Sequence, residues 1–350
     1  MKVARLNKDF SLTNIALKFS GSATEIAKLT FDLRLVGSKT LKNPQELIAF
    51  LDIYQLKKLM EIYPEELKEI YQSQQIIWSG KNFSFDLTLE PIVYSIINIT
   101  PDSFYDGKLS NLELKNVLKK VESDIENGAS VLDIGGKSSR PNFADISAQE
   151  EWLRIKEPIE QIKKHFPQAI ISVDTNTPEV MKRVLDSGAD ILNDIDGFDT
   201  PEKLAILQEY KPSVLAMNNG RLPVKYSTKP SIELPKFFEE KVKQLTQIGL
   251  IKEQIALDAG VGFFNGPSAQ DSVKRIKATE QLTRLGQALM IAISHKSFMP
   301  ALFGMEKDET LFSTLMFELL MLEAGGRILR VHDVKETKRL IDNWVKYQNF

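Results

Sequence analysis

The sequence lacks cysteine altogether, has only 3 histidines among 350 residues, and contains no long apolar run. Without cysteine the chain can form neither disulfides nor thiolate metal sites, and it has no thiol nucleophile. No stretch approaches the ~18 apolar residues of a membrane helix, and the first residues lack an apolar core of signal-peptide length. We therefore expect a soluble, cytoplasmic protein.

An excess of charge of one sign is also missing. Lys and Arg total 45 against 47 for Asp and Glu, which gives a net charge of -2. This balance argues against a nucleic-acid-binding protein. Apolar residues make up 43% of the chain, enough for a large core in one barrel-sized domain or in two smaller ones.

The first ninety residues differ in pattern from the rest. Rough alternation of apolar and polar residues predicts strands at residues 10–19 and 29–36. Mixed three- and four-residue spacing predicts helices over residues 44–74, divided at Pro64. Two short apolar runs around residues 80–82 predict a hairpin. No chemistry is evident here, so this part is either an appendage whose hairpin closes the base of the next domain or a partner-binding module.

From residue 94 onward, strand-like and helical patterns alternate to the end of the chain. Each gap between the strand-like runs is wide enough for a crossover helix. Eight such units favour a (β/α)8 TIM barrel in the α/β class. We therefore expect a small N-terminal α+β extension of unknown role at residues 1–75 and a barrel at residues 76–350. The predicted strands are residues 94–100, 131–136, 170–175, 191–195, 213–217, 255–260, 289–294 and 328–333.

Nearly every predicted strand ends in a residue that can form hydrogen bonds. In a barrel the carboxyl ends of the strands meet at one mouth, where active sites lie. Any single residue of this set is as readily an ordinary strand-end polar group, but the whole set predicts a site. Its members are Asn98, Asp133, Asp174, Asn193, Asp258, Lys296, Arg330 and His332.

The residue types at this mouth favour one kind of ligand. Carboxylates such as Asp174 and Asp258 pair well with a planar group that offers two adjacent N–H donors. Lys296, Arg330 and His332 together supply positive charge that suits a phosphate or pyrophosphate. No cluster with the spacing of metal ligands is present. The residues alone therefore predict a heteroaromatic ligand with a phosphate tail.

Seven motifs, in order, resemble those of the dihydropteroate synthase family: NITPDSFYDG, DIGGKSSRP, SVDT, ILNDIDG, DAGVGF, SHKS and RVHDV. The resemblance covers about residues 85–345. It implies a transferase that joins a dihydropterin diphosphate to p-aminobenzoate, releasing pyrophosphate and making dihydropteroate for folate synthesis. It also implies a Mg²⁺ cofactor, sulfonamide sensitivity and a homodimer, for which the apolar residues 311–322 are candidates.

The resemblance implies a role for each residue that matches a motif. Asn98 would be an oxygen ligand of Mg²⁺. Arg330 and His332 would bind the departing pyrophosphate, and Asp106 could stabilise the carbocation that remains on the pterin methylene. Ser297 would meet the carboxylate of p-aminobenzoate. The pterin ring would contact Asp174, Asn193, Met217, Asp258 and Lys296, with Phe263 also lining the site. Loop one (residues 100–107) and loop two (residues 135–142), which close over the site in this family, would add Phe104, Ser139, Arg140 and Pro141.

The resemblance implies a dissociative reaction in which pyrophosphate leaves before the arylamine attacks, so that electrostatic stabilisation and water exclusion carry the rate. We assign catalytic roles to Asp106, Lys296, Arg330 and His332. No strong general base is needed.

Several positions depart from the family pattern. Lys137 stands where an acid is usual, Ser139 replaces a threonine, Asn142 replaces a glycine, and His295 stands where arginine is usual. These changes cluster around the aminobenzoate side, so they bear on the second substrate and on the response to sulfonamides. They also leave open a non-catalytic or altered-substrate pterin-binding paralogue. A pterin-dependent methyltransferase fits less well, because it has no need of TPDSF, SRP and RVHD.

Overall fold

The computed structural model describes residues 1–7, 9–42, 46–99, 114–137, 146–220, 229–263 and 269–350. Its N-terminal part is an antiparallel sheet in the order β1-β2-β4-β3 with helices packed against one face. The elements are β1 (Lys2–Arg5), β2 (Ile15–Ser20), α1 (Ala23–Leu35), β3 (Lys39–Lys42), β4 (Glu46–Leu51), α2 (Ile53–Ile62) and α3 (Pro64–Gln72).

Two predictions for this part are wrong. Residues 29–36 fall in α1, because Ser22 and Glu25 form a capping box that begins a helix and outweighs the local alternation. Residues 46–51 form β4, in which every second residue, Leu47, Ala49 and Leu51, points into the core. The division into two helices at Pro64 is confirmed.

A closed barrel of eight parallel strands follows, in the order β7-β8-β9-β10-β11-β12-β13-β14. The predicted TIM barrel with an additional N-terminal α+β region is confirmed, and the strand ends differ from prediction by at most a few residues. The strands are β7 (Ile92–Asn98), β8 (Ala129–Gly135), β9 (Ile171–Asp174), β10 (Ile191–Asp194), β11 (Ser213–Met217), β12 (Ile255–Asp258), β13 (Ala288–Ile291) and β14 (Ile328–Val331).

Helices lie between these strands and cover the outside of the barrel. Pro178 and Pro201 begin two of them, as their sequence pattern predicts. The helices are α4 (Leu114–Glu126), α5 (Ala148–His165), α6 (Pro178–Asp186), α7 (Pro201–Tyr210), α8 (Pro230–Gln247), α9 (Ala269–Lys277), α10 (Thr279–Thr283), α11 (Phe298–Phe303), α12 (Thr310–Glu323) and α13 (Val334–Asn349). Within the described ranges, none of the helices has both the length and the apolar character needed to cross a membrane.

The predicted hairpin is present as β5 (Ile77–Ser79) and β6 (Ser84–Asp86), and it covers the amino ends of the barrel strands. Its Trp78 is fully buried and lies 6.2 Å, centroid to centroid, from the ring of Tyr94 in β7. Asn82 donates a hydrogen bond to Asp190, which immediately precedes β10. The hairpin therefore closes the end of the barrel opposite the predicted site.

The N-terminal region is joined to the barrel by a shared core. Tyr54 of α2 packs edge-on against Trp344 of α13, with ring centroids 5.6 Å apart. The guanidinium of the buried Arg327, just before β14, lies 5.2 Å from the Trp344 ring centroid. The amino end of β14 is thus held by residues of both parts.

Replacing Trp78 by alanine tests whether the hairpin stabilises the barrel by closing its amino end. The change removes a fully buried indole, so we expect the free energy of unfolding to fall by about 3–5 kcal/mol. Denaturant unfolding measures this. Tyr347→Ala, at a 74% exposed position, is the control and should change stability by less than about 0.5 kcal/mol. Similar changes in the free energy of unfolding for the two variants would contradict this role of the hairpin.

Candidate active site

The register of the strands brings predicted site residues to one level of the mouth. Asn98 is paired with Gly135, Gly135 with Asp174, and Asp174 with Asn193 on successive strands. On the opposite part of the barrel, Met217 is paired with Asp258. Side chains predicted from separate motifs therefore begin from neighbouring backbone positions.

The centre of the site is a largely buried guanidinium, with 17% of the Arg330 side chain exposed, that is shared by two carboxylates. Arg330 donates from Nε to Asp133 Oδ2 at 2.7 Å and from Nη2 to Asp174 Oδ2 at 2.6 Å. Asn193 also donates to Asp133 Oδ2, at 3.1 Å. Asp174, Asn193 and Arg330 are thus brought together as predicted, but the link between them is Asp133.

Asp133 is fully buried and held from below as well. Ser172 donates to its Oδ1 at 2.8 Å, and the hydroxyl of Tyr94 donates in turn to Ser172. The sequence marks Asp133 only as one polar strand end among eight, and no site role was predicted for it. Its place between Leu132 and Ile134 in a mostly apolar strand is the signal that could have revealed an internal ion pair.

Burial controls the charges of this cluster. Burial raises the pKa of Asp174 to about 7; the charge of Arg330 opposes the rise and that of Asp133 adds to it. Burial disfavours the charge of Arg330, but Asp133 and Asp174 more than offset this and raise its pKa above the ordinary arginine value. Arg330 therefore stays cationic, and Asp174 is a carboxyl poised to exchange a proton near neutrality.

A second group forms around Asp258 and Lys296. Asp258 accepts a hydrogen bond from the Gly260 N–H at 2.8 Å, and its burial raises its pKa. Burial lowers the pKa of Lys296 to about 8, while Asp258 acts to raise it. The Lys296 amine donates to the Val261 carbonyl at 2.7 Å and lies 4.2 Å from the Phe263 ring centroid.

Gly262 makes room for this lysine. Its φ is +82°, and a Cβ at this position would lie 2.7 Å from Lys296 Cδ. The two groups lie close enough for their charges to interact. The charges of Arg330 and Asp174 shift the pKa of Lys296, as does that of Asp258. The structure therefore brings the predicted ring-binding residues around a common centre.

His332 lies beside this centre but does not add charge. Burial lowers its pKa to about 3, and the nearby charges of Arg330, Lys120 and His295 add to the effect. The shift favours the neutral imidazole and so weighs against the expectation that His332 supplies positive charge together with Lys296 and Arg330, and the role of His332 stays a prediction. A neutral imidazole offers one N–H donor, so any contact with a phosphate would be a hydrogen bond without charge.

The remaining predicted residues fall into two sets. Ser297 is exposed, directly before α11, and Asn98 lies at the end of β7. Their roles stay predictions. Outside the described residues lie loop one, with Phe104 and Asp106, and the part of loop two that contains Ser139, Arg140, Pro141 and Asn142.

A polar rim surrounds the mouth beyond β8, β9 and β10. Lys137 donates to Asn176 Oδ1 at 3.3 Å, and Asn176 donates to Asp196 Oδ2 at 2.7 Å. Asn219 donates to the other oxygen of Asp196. The buried Lys203 of α7 supports this rim through ion pairs with Asp194, Asp196 and Asp199.

No group of three or more His, Asp or Glu side chains in the described ranges could hold a metal ion. Asn98 offers a single amide oxygen, and a Cβ on Gly135 would lie 3.1 Å from it. The glycine therefore leaves space beside this oxygen. Such a place suits an ion that is bound mainly by substrate phosphates and water.

Comparison with known proteins assigns the family. A model described as "Pterin binding enzyme" matches residues 94–332. The dihydropteroate synthase of Escherichia coli (strain K12) is 33% identical over 259 residues, which are 73% of this chain and 90% of that protein. The chain belongs to the dihydropteroate synthase family of pterin-binding enzymes.

Other dihydropteroate synthases agree with this. That of Haemophilus influenzae is 30% identical over 271 residues, covering 76% of this chain and 96% of its own. The structure of Xanthomonas albilineans dihydropteroate synthase with 4-aminobenzoic acid has a TM-score of 0.72 and 28% identity, covering 79% of this chain and 99% of that one. The predicted family is confirmed.

Arg330→Ala tests the shared ion pair. It leaves Asp133 and Asp174 buried without their cation, which we expect to cost about 3–5 kcal/mol of stability at about pH 8. The loss of the cation raises the pKa of Asp174 further above its unfolded value, so the unfolded chain releases this proton first as the pH rises. The deficit should therefore be clearly smaller at about pH 5.

Denaturant unfolding at both pH values measures this deficit, with the exposed Arg339→Ala as control. A deficit that does not change with pH would count against the arrangement.

Proposed function

We propose that this protein is a working dihydropteroate synthase that condenses 6-hydroxymethyl-7,8-dihydropterin diphosphate with p-aminobenzoate, giving 7,8-dihydropteroate and pyrophosphate with the help of Mg²⁺. Family membership supports the reaction. One observation of this chain carries it furthest: carboxylates and cations from separate strands, Asp174 with Arg330 and Asp258 with Lys296, meet at one buried mouth. This is what a flat heterocycle with adjacent N–H groups and a diphosphate requires.

The ring of the pterin is bound by the second group of the site. Asp258 uses one oxygen for the Gly260 N–H, which leaves its other oxygen to accept from the substrate. Lys296, with a pKa lowered to about 8, donates a proton in a hydrogen bond to a ring acceptor at little desolvation cost. Met217 packs against the ring, and Asn193 and Asp174 meet its remaining polar edge.

The diphosphate lies toward Arg330 and His332. Within the described residues, the hydrogen bonds of Arg330 use Nε and Nη2, so Nη1 can donate to a phosphate oxygen. His332 contributes an N–H. A cation fixed by two carboxylates needs no reorganisation when charge builds on the leaving pyrophosphate, and such preorganised groups carry much of an enzyme's rate.

Mg²⁺ fits at Asn98, with Gly135 leaving the space and substrate phosphates completing the ligands. When bound, it would neutralise part of the phosphate charge. We further propose that Asp106 stabilises the cationic methylene, that Ser297, loop two, Phe104 and Phe263 receive p-aminobenzoate, and that sulfonamides compete there. The absence of cysteine supports a cytoplasmic location.

One assay separates this function from its rivals. The full chain is mixed with dihydropterin diphosphate, p-aminobenzoate and Mg²⁺, and pyrophosphate release is followed. Release that depends on the amine and on Mg²⁺ supports the synthase. Binding without release indicates a non-catalytic paralogue, and methyl transfer from a folate indicates the methyltransferase.

The variant Asp258→Ala sharpens the test. It removes a buried carboxylate and with it charge-assisted hydrogen bonds worth about 3 kcal/mol, so pterin affinity should fall by about 100-fold. Calorimetric titration with the pterin measures this. Asp271→Ala, which removes an exposed aspartate of α9, is the matched control; equal affinities of the two variants would contradict the proposed ring contact.

We also propose that the protein forms a homodimer through α12. Phe312, Met316 and Leu320 stand four residues apart on one stripe and are 78%, 40% and 53% exposed. An apolar stripe of this kind on a helix is typical of a subunit contact.

Met316→Glu places a charge in the middle of this stripe. We expect a dimeric wild-type protein and a monomeric variant by sedimentation velocity, because a buried carboxylate without a partner disfavours association. Tyr347→Glu, which charges an exposed side chain outside the stripe, should leave the dimer intact. A wild-type monomer, or a variant that stays dimeric, would rule this interface out.

A further inference from the structure

We propose that His295 is a positioning residue that fixes Lys296 relative to Arg330 and His332 by tying the loop after β13 to the start of α13 through Asp333. This inference rests on the proposed function, since it concerns how the ring-binding and phosphate-binding groups are kept in register.

The backbone of His295 is held in an unusual conformation. Its φ is +52°, and in the described part of the chain only Phe198 and Lys211 are further non-glycine residues with positive φ. The left-handed region costs an ordinary residue about 1 kcal/mol or more, so it persists only where surrounding contacts fix it. The peptide N–H of His295 donates to Thr314 Oγ1 at 3.2 Å, which is one such contact.

Both ring nitrogens of His295 are used. Nδ1 lies 2.6 Å from Thr310 Oγ1, at the start of α12, and Nε2 forms a short hydrogen bond with Asp333 Oδ2. Burial opposes ionisation of Asp333, but the hydrogen bond from His295 and the nearby charge of Lys120 lower its pKa, so it is a carboxylate. A carboxylate only accepts, so Nε2 is the donor to Asp333.

The side chain of Asp333 binds His295 instead of capping the helix that follows it. Asp333 directly precedes α13, where an aspartate normally caps the helix, yet its side chain makes no capping hydrogen bond to α13. Holding His295 therefore replaces a local stabilising role, which fits a residue placed for the geometry of the site.

Two adjacent links join the loops after β13 and β14. The His332 N–H donates to Ser294 Oγ at 3.2 Å, and one residue further along each chain segment His295 binds Asp333. Lys296 follows His295 directly, and Arg330 lies three residues before Asp333. A rotation of either loop would move the amine of Lys296 away from the guanidinium of Arg330 and the ring of His332.

Two amide variants separate positioning from a purely structural role. His295→Gln can place an amide N–H where Nε2 lies and so keep the link to Asp333. His295→Asn matches Nδ1 instead and loses that link, although asparagine tolerates positive φ better than glutamine does. Positioning predicts that the Gln variant is the more active; a backbone role predicts that the Asn variant is the more stable and the more active.

The readouts are kcat and calorimetric affinities for two probes, Mg²⁺-pyrophosphate and phosphate-free hydroxymethylpterin. For His295→Asn we expect kcat to fall about tenfold, about 1.4 kcal/mol, with the affinity for each separate probe within about twofold of wild type, because each group stays intact and only their register is lost. Equal loss for both probes, together with a lower Tm, would show a structural role and overturn the proposal.

Asp333→Ala, which removes the acceptor of the link, provides a second route that does not depend on His295 variants folding. It should reproduce the tenfold loss, and the double variant should lose little more than either single variant, because both remove one link. Additive losses would overturn the inference. A wild-type protein that binds neither probe refutes the proposed function itself, whereas normal wild-type binding with unchanged variants refutes only the role of His295.

Discussion

The site depends on one buried cation that serves two carboxylates. Arg330 reaches from the last strand to Asp133 and Asp174 on the second and third strands of the barrel. A buried charge is costly unless it is paired and fully hydrogen-bonded, so these three side chains constrain one another. The two carboxylates keep Arg330 cationic, while burial raises the pKa of Asp174 to about 7 against the opposing charge of Arg330.

The architecture explains why this cluster is so well fixed. The strand that carries Arg330 is held at its amino end by Arg327, which packs on Trp344 together with Tyr54 of the N-terminal region. The hairpin with Trp78 closes the barrel on that same side. Packing at the base thus stabilises the strands, while the mouth is left free for polar groups that a compact core would exclude. This division of labour is the usual one in such barrels.

Much of this could be predicted from the sequence. The eight strands follow from apolar runs, and Asp174, Asn193, Asp258, Lys296 and Arg330 follow from polar residues at the ends of those runs. The strand predicted at residues 29–36 is wrong because the capping box at Ser22 begins a helix that continues through them. The alternation of apolar and polar residues is a signal of a few positions only. The partner of Arg330 and the low pKa of His332 could not be predicted. Both depend on burial and on distances between strands, which no single segment of the sequence determines.

Four positions depart from the family pattern, and the two that lie within the described residues, Lys137 and His295, are in separate places. Lys137 belongs to the polar rim, where it donates to Asn176, which in turn donates to Asp196. His295 lies on the other side, behind Lys296 and His332. Since neither change replaces a group of the central cluster, the ring-binding half can keep its chemistry while the rim that would receive the second substrate varies. Evolutionary selection for a different arylamine substrate could therefore change the rim without loss of the pterin site.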